Sequence, residues 1–396
     1  MSSEVSQDNS IIFSGLRVEL VVDEERFAAL SAPWNALAQR CTPQSAFLRH
    51  EWFAAAWQWR REDAALRIIC VYRESTLVGV LPLLALRPGK GNTRCELELL
   101  TVPDTQVCDL LAAPGDEKAV ASACVWFLRK RTQAWDVLRL RYLRQNGPAW
   151  SQFVHAAAET GHSTAIATAS SNPFISLTGR WEDYYETRSR RLKKATNLVA
   201  NRVQRNGEHS IKWHRPGMGD AGDITAALDH AIDISARSWK RTTGNSLNHS
   251  GPQRFIRLLS KHAAENGWLS LWLLYLDGRA VAMEYQLTFD GDVHALRADF
   301  DASRTDVSPG SYLNIQLIKA LFGQGYRRYY MGPGENAYKA RWAEAAAPMM
   351  QATIYGTGLY ASWLAAWEGK IKPRLRQVRD RVTNGRQRVD ALHSIG

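Results

Sequence analysis

Cysteine is sparse in this 396-residue chain, and the five that occur, Cys41, Cys70, Cys95, Cys108 and Cys124, are odd in number and form no Cys-x-x-Cys pair. That spacing argues against a disulfide frame or a structural zinc site and favours a reducing, cytoplasmic setting. Long apolar runs are missing too. The longest, Leu77 to Leu86, is ten residues and contains Gly79 and Pro82, against roughly 20 needed to span a bilayer. The first ten residues hold no basic region followed by an apolar core, so no secretory signal is expected and the protein should be soluble. There is no Gly-x-x-x-x-Gly-Lys-Ser/Thr loop, no Gly-x-Ser-x-Gly elbow and no His-Glu-x-x-His pair. These absences set aside P-loop ATPases, elbow-type serine hydrolases and zinc proteases. The ten histidines are scattered, His155 and His162 standing seven apart without suitable partners, and no metal site is expected.

With 45% hydrophobic residues the chain can bury large cores, and its length suits two domains better than one. A faint repeat agrees: Val71 to Leu81 lies over Leu274 to Glu284 at a constant offset of 203, each hairpin following an aromatic-rich helical stretch. The expected division is an N-terminal half over 1–180, a basic connecting helix over 181–207, a C-terminal half over 208–356 and a basic amphipathic helix over 357–396. Charge is uneven. The formal balance is +11, yet Arg188 to Arg205 holds seven basic residues and no acid, and Lys370 to Arg388 eight basic residues and one acid. Together these runs carry +14, so the rest of the chain sums to −3. Asp183 to Asn206 reads as one long helix with Leu192, Thr196, Val199 and Val203 as its apolar stripe, closed by Gly207. Trp363 and Trp367 stand one turn apart on the last segment. Solvated helical faces are the ordinary explanation of such runs; the functional ones are attraction to an anionic acceptor, an anionic membrane surface or RNA.

The most informative stretch is Leu269 to Trp342. Leu269 to Tyr275 and Val281 to Phe289 read as strands joined by an Asp277-Gly278 turn, and His294 to Phe300 as a third strand after Asp290-Gly291-Asp292. Ser308 is the expected N-cap of a helix with Pro309 at its first position; Tyr312, Leu313, Ile315, Leu317, Ile318, Leu321 and Phe322 form its buried face and Gly323 ends it. Arg327 to Met331 then reads as a strand parallel to the one before the helix. A helix N-terminus presents unpaired N–H groups and partial positive charge, and Gly310 and Ser311 are small enough for a diphosphate to approach closely.

The order of these strands, the Ser308-Pro309-Gly310 helix start and the Gly332-x-Gly334-x-x-x-Tyr338-Lys339-x-x-Trp342 ending resemble the GNAT-like acetyltransferase domain of the CelD/BcsL group of cellulose biosynthesis, related in turn to the FemAB peptidyltransferases. Trp34, Phe47, Trp52, the Leu77 to Leu83 strand, Trp239 and the Asp277-Gly278 turn fall where such proteins place similar residues. The resemblance implies an α/β fold of two tandem GNAT-like units with mixed, mainly antiparallel sheets. It also implies direct acyl transfer from acetyl-CoA or another acyl-CoA to an amine or hydroxyl of a sugar, polysaccharide precursor or other small acceptor. The donor would meet Ser308, Pro309, Gly310, Ser311 and Lys339, and the acceptor Trp239, Asp301 and Gly334. The N-terminal copy has neither the Ser-Pro-Gly start nor the Tyr-Lys-x-x-Trp ending, so it is expected to have lost the donor site and to shape the acceptor cleft. Arg304 to Ser311 does not fit the usual GNAT pyrophosphate loop spacing, which makes acyl transfer the firmer implication and acetyl-CoA the looser one.

Transfer of this kind needs a base for the nucleophile, donors for the thioester oxygen and a proton for the departing thiolate. Asp299, Asp301 and Glu335 are the nearer candidate bases, with Asp299 preferred; Glu284 and His294 are more distant. Tyr338 is the candidate proton donor, with packing against Trp342 as its ordinary role. The N–H groups of Leu296 to Ala298 can polarise the carbonyl if the strand bulges there. Two further readings stay open: a FemAB-like transferase using aminoacyl-tRNA, whose tRNA would lie on the basic helices, and a noncatalytic accessory protein of envelope polysaccharide synthesis. Through its basic helices the chain would meet that synthesis machinery or the inner face of the membrane.

Overall fold

One mixed sheet runs through the computed structural model, which describes residues 10–89, 94–130, 135–217, 222–242 and 244–371. Its strands are β1 (Ser10–Phe13), β2 (Leu16–Val21), β3 (Ala64–Arg73), β4 (Thr76–Leu86), β5 (Glu96–Leu99), β6 (Leu111–Ala112), β7 (Val137–Arg144), β8 (Thr164–Ser176), β9 (His209–His214), β10 (Leu269–Leu276), β11 (Arg279–Phe289), β12 (Asp292–Phe300), β13 (Arg328–Tyr330) and β14 (Ala345–Tyr355). They lie in the order β1-β2-β3-β4-β5-β7-β14-β8-β13-β12-β11-β10-β9, with β6 beside β4. β4 and β11 are apolar nearly throughout because helices cover the sheet on both faces.

The repeat written faintly in the sequence is explicit in the backbone. β4 and β11 begin and end at positions 203 residues apart and share one burial pattern. Their hairpins bulge at equivalent places, Val71/Tyr72 and Leu274/Tyr275, and turn through equivalent residues of positive φ, Glu74 at 56° and Asp277 at 48°. The helices His50–Arg60 and Ser250–Glu265 pack together on one face of the sheet, where the counterparts Trp52 and Phe255 meet edge to face with centroids 5.4 Å apart.

Each half contains a strand, helix, strand crossover that yields a parallel pair: β5, Glu117–Lys130 and β7 in the first, β12, Pro309–Leu321 and β13 in the second. The strands that follow are exchanged. β8 leaves the first half to lie against β13, and β14 returns from the second half to lie against β7. β8 and β14 pair with each other from Ala345↔Phe174 to Ile354↔Thr164. Each half is therefore completed by a strand of the other.

The structure corrects two local expectations. The basic segment is two helices, Trp181–Glu186 and Arg190–Arg205, because Thr187 Oγ1 donates back to the Tyr184 carbonyl at 2.7 Å and Ser189 is extended, its Oγ accepting from Leu192 N. Ser308 does occupy the N-cap position, but in the left-handed region (φ 55°, ψ 53°) and without a side-chain cap bond. The expected C-terminal helix is described as Leu359–Ala366 and a wider turn to Ile371; from residue 372 the second basic run lies outside the described residues.

Candidate active site

β12 and β13 pair in parallel only from Asp292↔Arg328 to His294↔Tyr330. Beyond that point they part. Met331 N donates to the Pro173 carbonyl, which keeps the chain after β13 on β8. The Ala295 carbonyl on the freed edge of β12 accepts instead from Gln106 Nε2 at 2.7 Å, and Asn172 Nδ2 holds Gln106 Oε1 at 2.9 Å. The N-terminal half thus supplies the wedge that keeps the two strands open. β12 also bulges at Leu296, where the pairing jumps from Gln286↔Ala295 to Tyr285↔Arg297. A bulge leaves backbone groups unpaired and redirects side chains, so Arg297 and Asp299 turn to the face of the Ser250–Glu265 helix.

The opening is a cavity of about 500 Å³ at the C-terminal ends of the parallel strands, where open α/β sheets commonly bind ligands. Its floor includes Gly310 and Ser311 at the start of the Pro309–Leu321 helix, and its walls include Glu284, Arg297, Asp299, Asn314, Tyr329 and Tyr338. Trp239, 62% exposed, stands at the rim.

Four of these residues keep buried polar atoms without a hydrogen-bond partner: both carboxylate oxygens of Asp299, Asn314 Oδ1, the Tyr338 hydroxyl and Arg297 Nη2. Most buried polar groups are satisfied, so their gathering around one cavity marks a place built for a polar ligand. Lys240 Nζ is 2.8 Å from Asp299 Oδ1, an ion pair that gives the buried carboxylate its counter-charge. Arg297 Nε donates to Asp104 Oδ2 at 2.6 Å, so the cavity's guanidinium is aimed by a carboxylate of the other half. Burial pushes Asp104 up, with Arg297 opposing.

Glu284 lies on the opposite face of the sheet. Its carboxylate accepts from the Tyr329 hydroxyl at 2.5 Å, Gln286 Nε2 at 2.8 Å and Asn314 Nδ2 at 3.1 Å. Burial raises its pKa, which these donors only partly offset. Burial, with the Glu284 charge nearby, also raises the Tyr338 phenol well above its ordinary value, so it is protonated at neutral pH.

Of the residues singled out in the sequence, Asp299, Tyr338, Gly310, Ser311, Lys339 and Trp239 come together at this cavity. Lys339 serves differently from expectation: its ammonium donates to the carbonyls of Gly332, Pro333 and Gly334 at 2.8, 2.9 and 3.1 Å. Its three N–H bonds clasp the loop and leave none for a phosphate. Ser308, Pro309, Gly334, Glu335 and Asp301 do not line the cavity. Glu335 is exposed and accepts from Ser171 Oγ at 2.8 Å. Asp301 is held by Arg237, Arg279 and Ser303 as a structural anchor. His294 is a core histidine stacked on Tyr330, its pKa lowered to about 3 by burial. Asn314, Arg297, Lys240 and Tyr329 were missed. Asn314 did carry a signal, as the polar residue within the helix's apolar face.

The splayed parallel pair, bulged strand and helix start define an α/β architecture with a cleft at the strand ends. Residues 190–340 match the family described as "Acetyltransferase (GNAT) domain". Three solved structures resemble nearly the whole chain. The structure of FemX aligns with a TM-score of 0.53 at 11% identity, over 84% of this chain and 98% of that one. A conserved protein of unknown function from Bacteroides thetaiotaomicron aligns at 0.51 and 11%, over 82% and 97%. The C-terminal domain ascribed to a lysylphosphatidylglycerol synthetase of Agrobacterium fabrum aligns at 0.51 and 14%, over 87% and 96%. At these identities the likeness is one of fold. A search of curated proteins gives no match. Among the described residues no group of His, Cys, Asp and Glu is placed to hold a metal ion, and no helix is long and apolar enough to cross a membrane.

Proposed function

We propose that the chain is an acyltransferase that moves an acyl group from acyl-CoA to an amine or hydroxyl, with the β12/β13 cavity as its site. The carrying observation is the set of buried polar atoms without a hydrogen bond on Asn314, Tyr338 and Arg297, gathered with the Asp299–Lys240 ion pair around that cavity. The donor's diphosphate would meet the free N–H groups of Gly310 and Ser311, and its thioester would reach the bulge at Leu296. There, Asp299 takes the proton of the attacking amine or hydroxyl as the new C–N or C–O bond forms. The N–H groups beside the bulge hold the carbonyl oxygen while its charge develops. The C–S bond then breaks, and Tyr338 donates its proton to the leaving thiolate.

The resemblance to the CelD/BcsL group supports a saccharide or polysaccharide precursor as the acceptor and a cytoplasmic place of work. Trp239 at the rim suits a sugar face. Incubating the protein with acetyl-CoA and longer acyl-CoAs, together with amino sugars and oligosaccharides, tests the reading by free-thiol release and acceptor mass. Acceptor-dependent thiol release with the matching mass gain is expected; no release with any pair would reject it.

A second reading is supported by Arg190, Arg191, Lys194, Arg202 and Arg205, which make no ion pair among the described residues on the exposed side of their helix. They suit an aminoacyl-tRNA donor. Salt-sensitive tRNA binding without affinity for CoA would favour it over the first.

A further inference from the structure

The helix Leu359–Ala366 and the turn that continues it to Ile371 have two unlike sides. The inner side is fixed. Ala361 and Leu364 pack on Val137 and Tyr355, and Glu368 is pinned by Arg139 at 3.1 Å, Arg94 at 3.2 Å and the Tyr355 hydroxyl at 3.0 Å. The outer side is an apolar ridge of Leu359, Tyr360, Trp363 and Trp367, exposed by 93, 45, 53 and 37%. Its rings stack on one another rather than on the core, Tyr360 on Trp363 at 6.0 Å and Trp363 on Trp367 at 5.8 Å.

We infer that this ridge docks on the surface of a bilayer containing anionic phospholipid. Tryptophan and tyrosine combine an apolar body with a polar edge, which suits the boundary between headgroups and acyl chains. The sequence immediately after the ridge supplies the second signal, because residues 370–388 carry eight basic side chains and one acid. Aromatic insertion and polybasic attraction together give stable peripheral binding where either alone gives a weak one. The same positive run repels a second copy of itself, which disfavours self-association through this face. The contacts of Glu368 beneath the helix hold the ridge outward, so no rearrangement is needed for it to meet a membrane. This inference is independent of the chemistry proposed for the cavity.

The test is sedimentation of the full chain with vesicles of phosphatidylcholine alone and of phosphatidylcholine mixed with phosphatidylglycerol. The protein should pellet with the mixed vesicles, less so as salt rises, and poorly with phosphatidylcholine. The double variant Trp363→Ala/Trp367→Ala, with folding verified by its circular dichroism, should lose about tenfold or more of that affinity, with Trp363→Phe/Trp367→Phe restoring most of it. No binding to anionic vesicles overturns the inference. So does equal binding by the alanine variant, which would mean charge alone is at work. A dimer in the absence of vesicles that the alanine variant abolishes also overturns it and assigns the ridge to a second copy.

Discussion

Lys240 Nζ stands 2.8 Å from Asp299 Oδ1, placing an ammonium from the turn after the rim tryptophan beside a buried carboxylate on the bulged strand. The ammonium offsets the charge of a carboxylate that lines the cavity. Asp299→Asn keeps the shape and removes the base. Acceptor-dependent thioester turnover should fall by roughly 10² to 10⁴, with affinity for the donor unchanged in a direct titration. Unchanged turnover would shift the base assignment to Glu284.

Tyr338 separates catalysis from stability. Its hydroxyl is buried without a partner, so Tyr338→Phe removes a desolvated group and should leave the urea midpoint equal or slightly higher, within about 1 kcal/mol. If the phenol protonates the thiolate, kcat falls by about 10² or more while KM for the donor holds. A variant that loses stability and keeps turnover would return Tyr338 to the packing role.

Glu284 gives a pH signature. Burial raises its folded-state pKa above the ordinary 4.5, so over the interval just above pH 4.5 the folded protein binds more protons than the unfolded chain. Stability from this group is then full below the ordinary value and declines as pH rises toward the folded one. Glu284→Gln cannot titrate, so the unfolding free energy of the parent minus that of the variant should fall as pH rises through that window. Parallel slopes would remove Glu284 as the source.

The exchange of β8 and β14 predicts that the halves do not stand alone. A fragment of residues 1–180 lacks the strand that lies between β7 and β8, and the remainder lacks the strand between β13 and β14. Each expressed singly should be unfolded or aggregated by circular dichroism and gel filtration, and co-expression should recover a one-to-one complex. A monomeric, cooperatively melting fragment would contradict the exchange.

Local structure was written plainly in the sequence. The Asp277-Gly278 turn, the three strands around it, the last of them alternating, and the apolar face of the helix after Pro309 rest on neighbours in the chain, and all stand as read. The cavity's best residues follow the same rule, since Asp299, Gly310, Ser311 and Tyr338 sit at or beside element ends that periodicity locates. What escaped depends on long-range placement. Gln106 and Asp104 reach the site from nearly two hundred residues away and have no local pattern. Glu335 and Asp301 are candidate bases in the sequence only narrowly behind Asp299, and the partners of their side chains separate them from it. Lys339 illustrates the limit of residue type: a lysine beside a glycine loop suggests phosphate, yet three carbonyls take its ammonium.

The most direct measurement is a calorimetric titration of acetyl-CoA into the protein and its Ser311→Glu variant. Ser311 sits in the first turn of the cavity helix, where an added carboxylate favours the helix through its dipole but repels a diphosphate. The account predicts one saturable site per chain, at least about tenfold weaker in the variant, whose melting temperature is equal or higher. No binding by the parent, or equal binding by a folded variant, would contradict it.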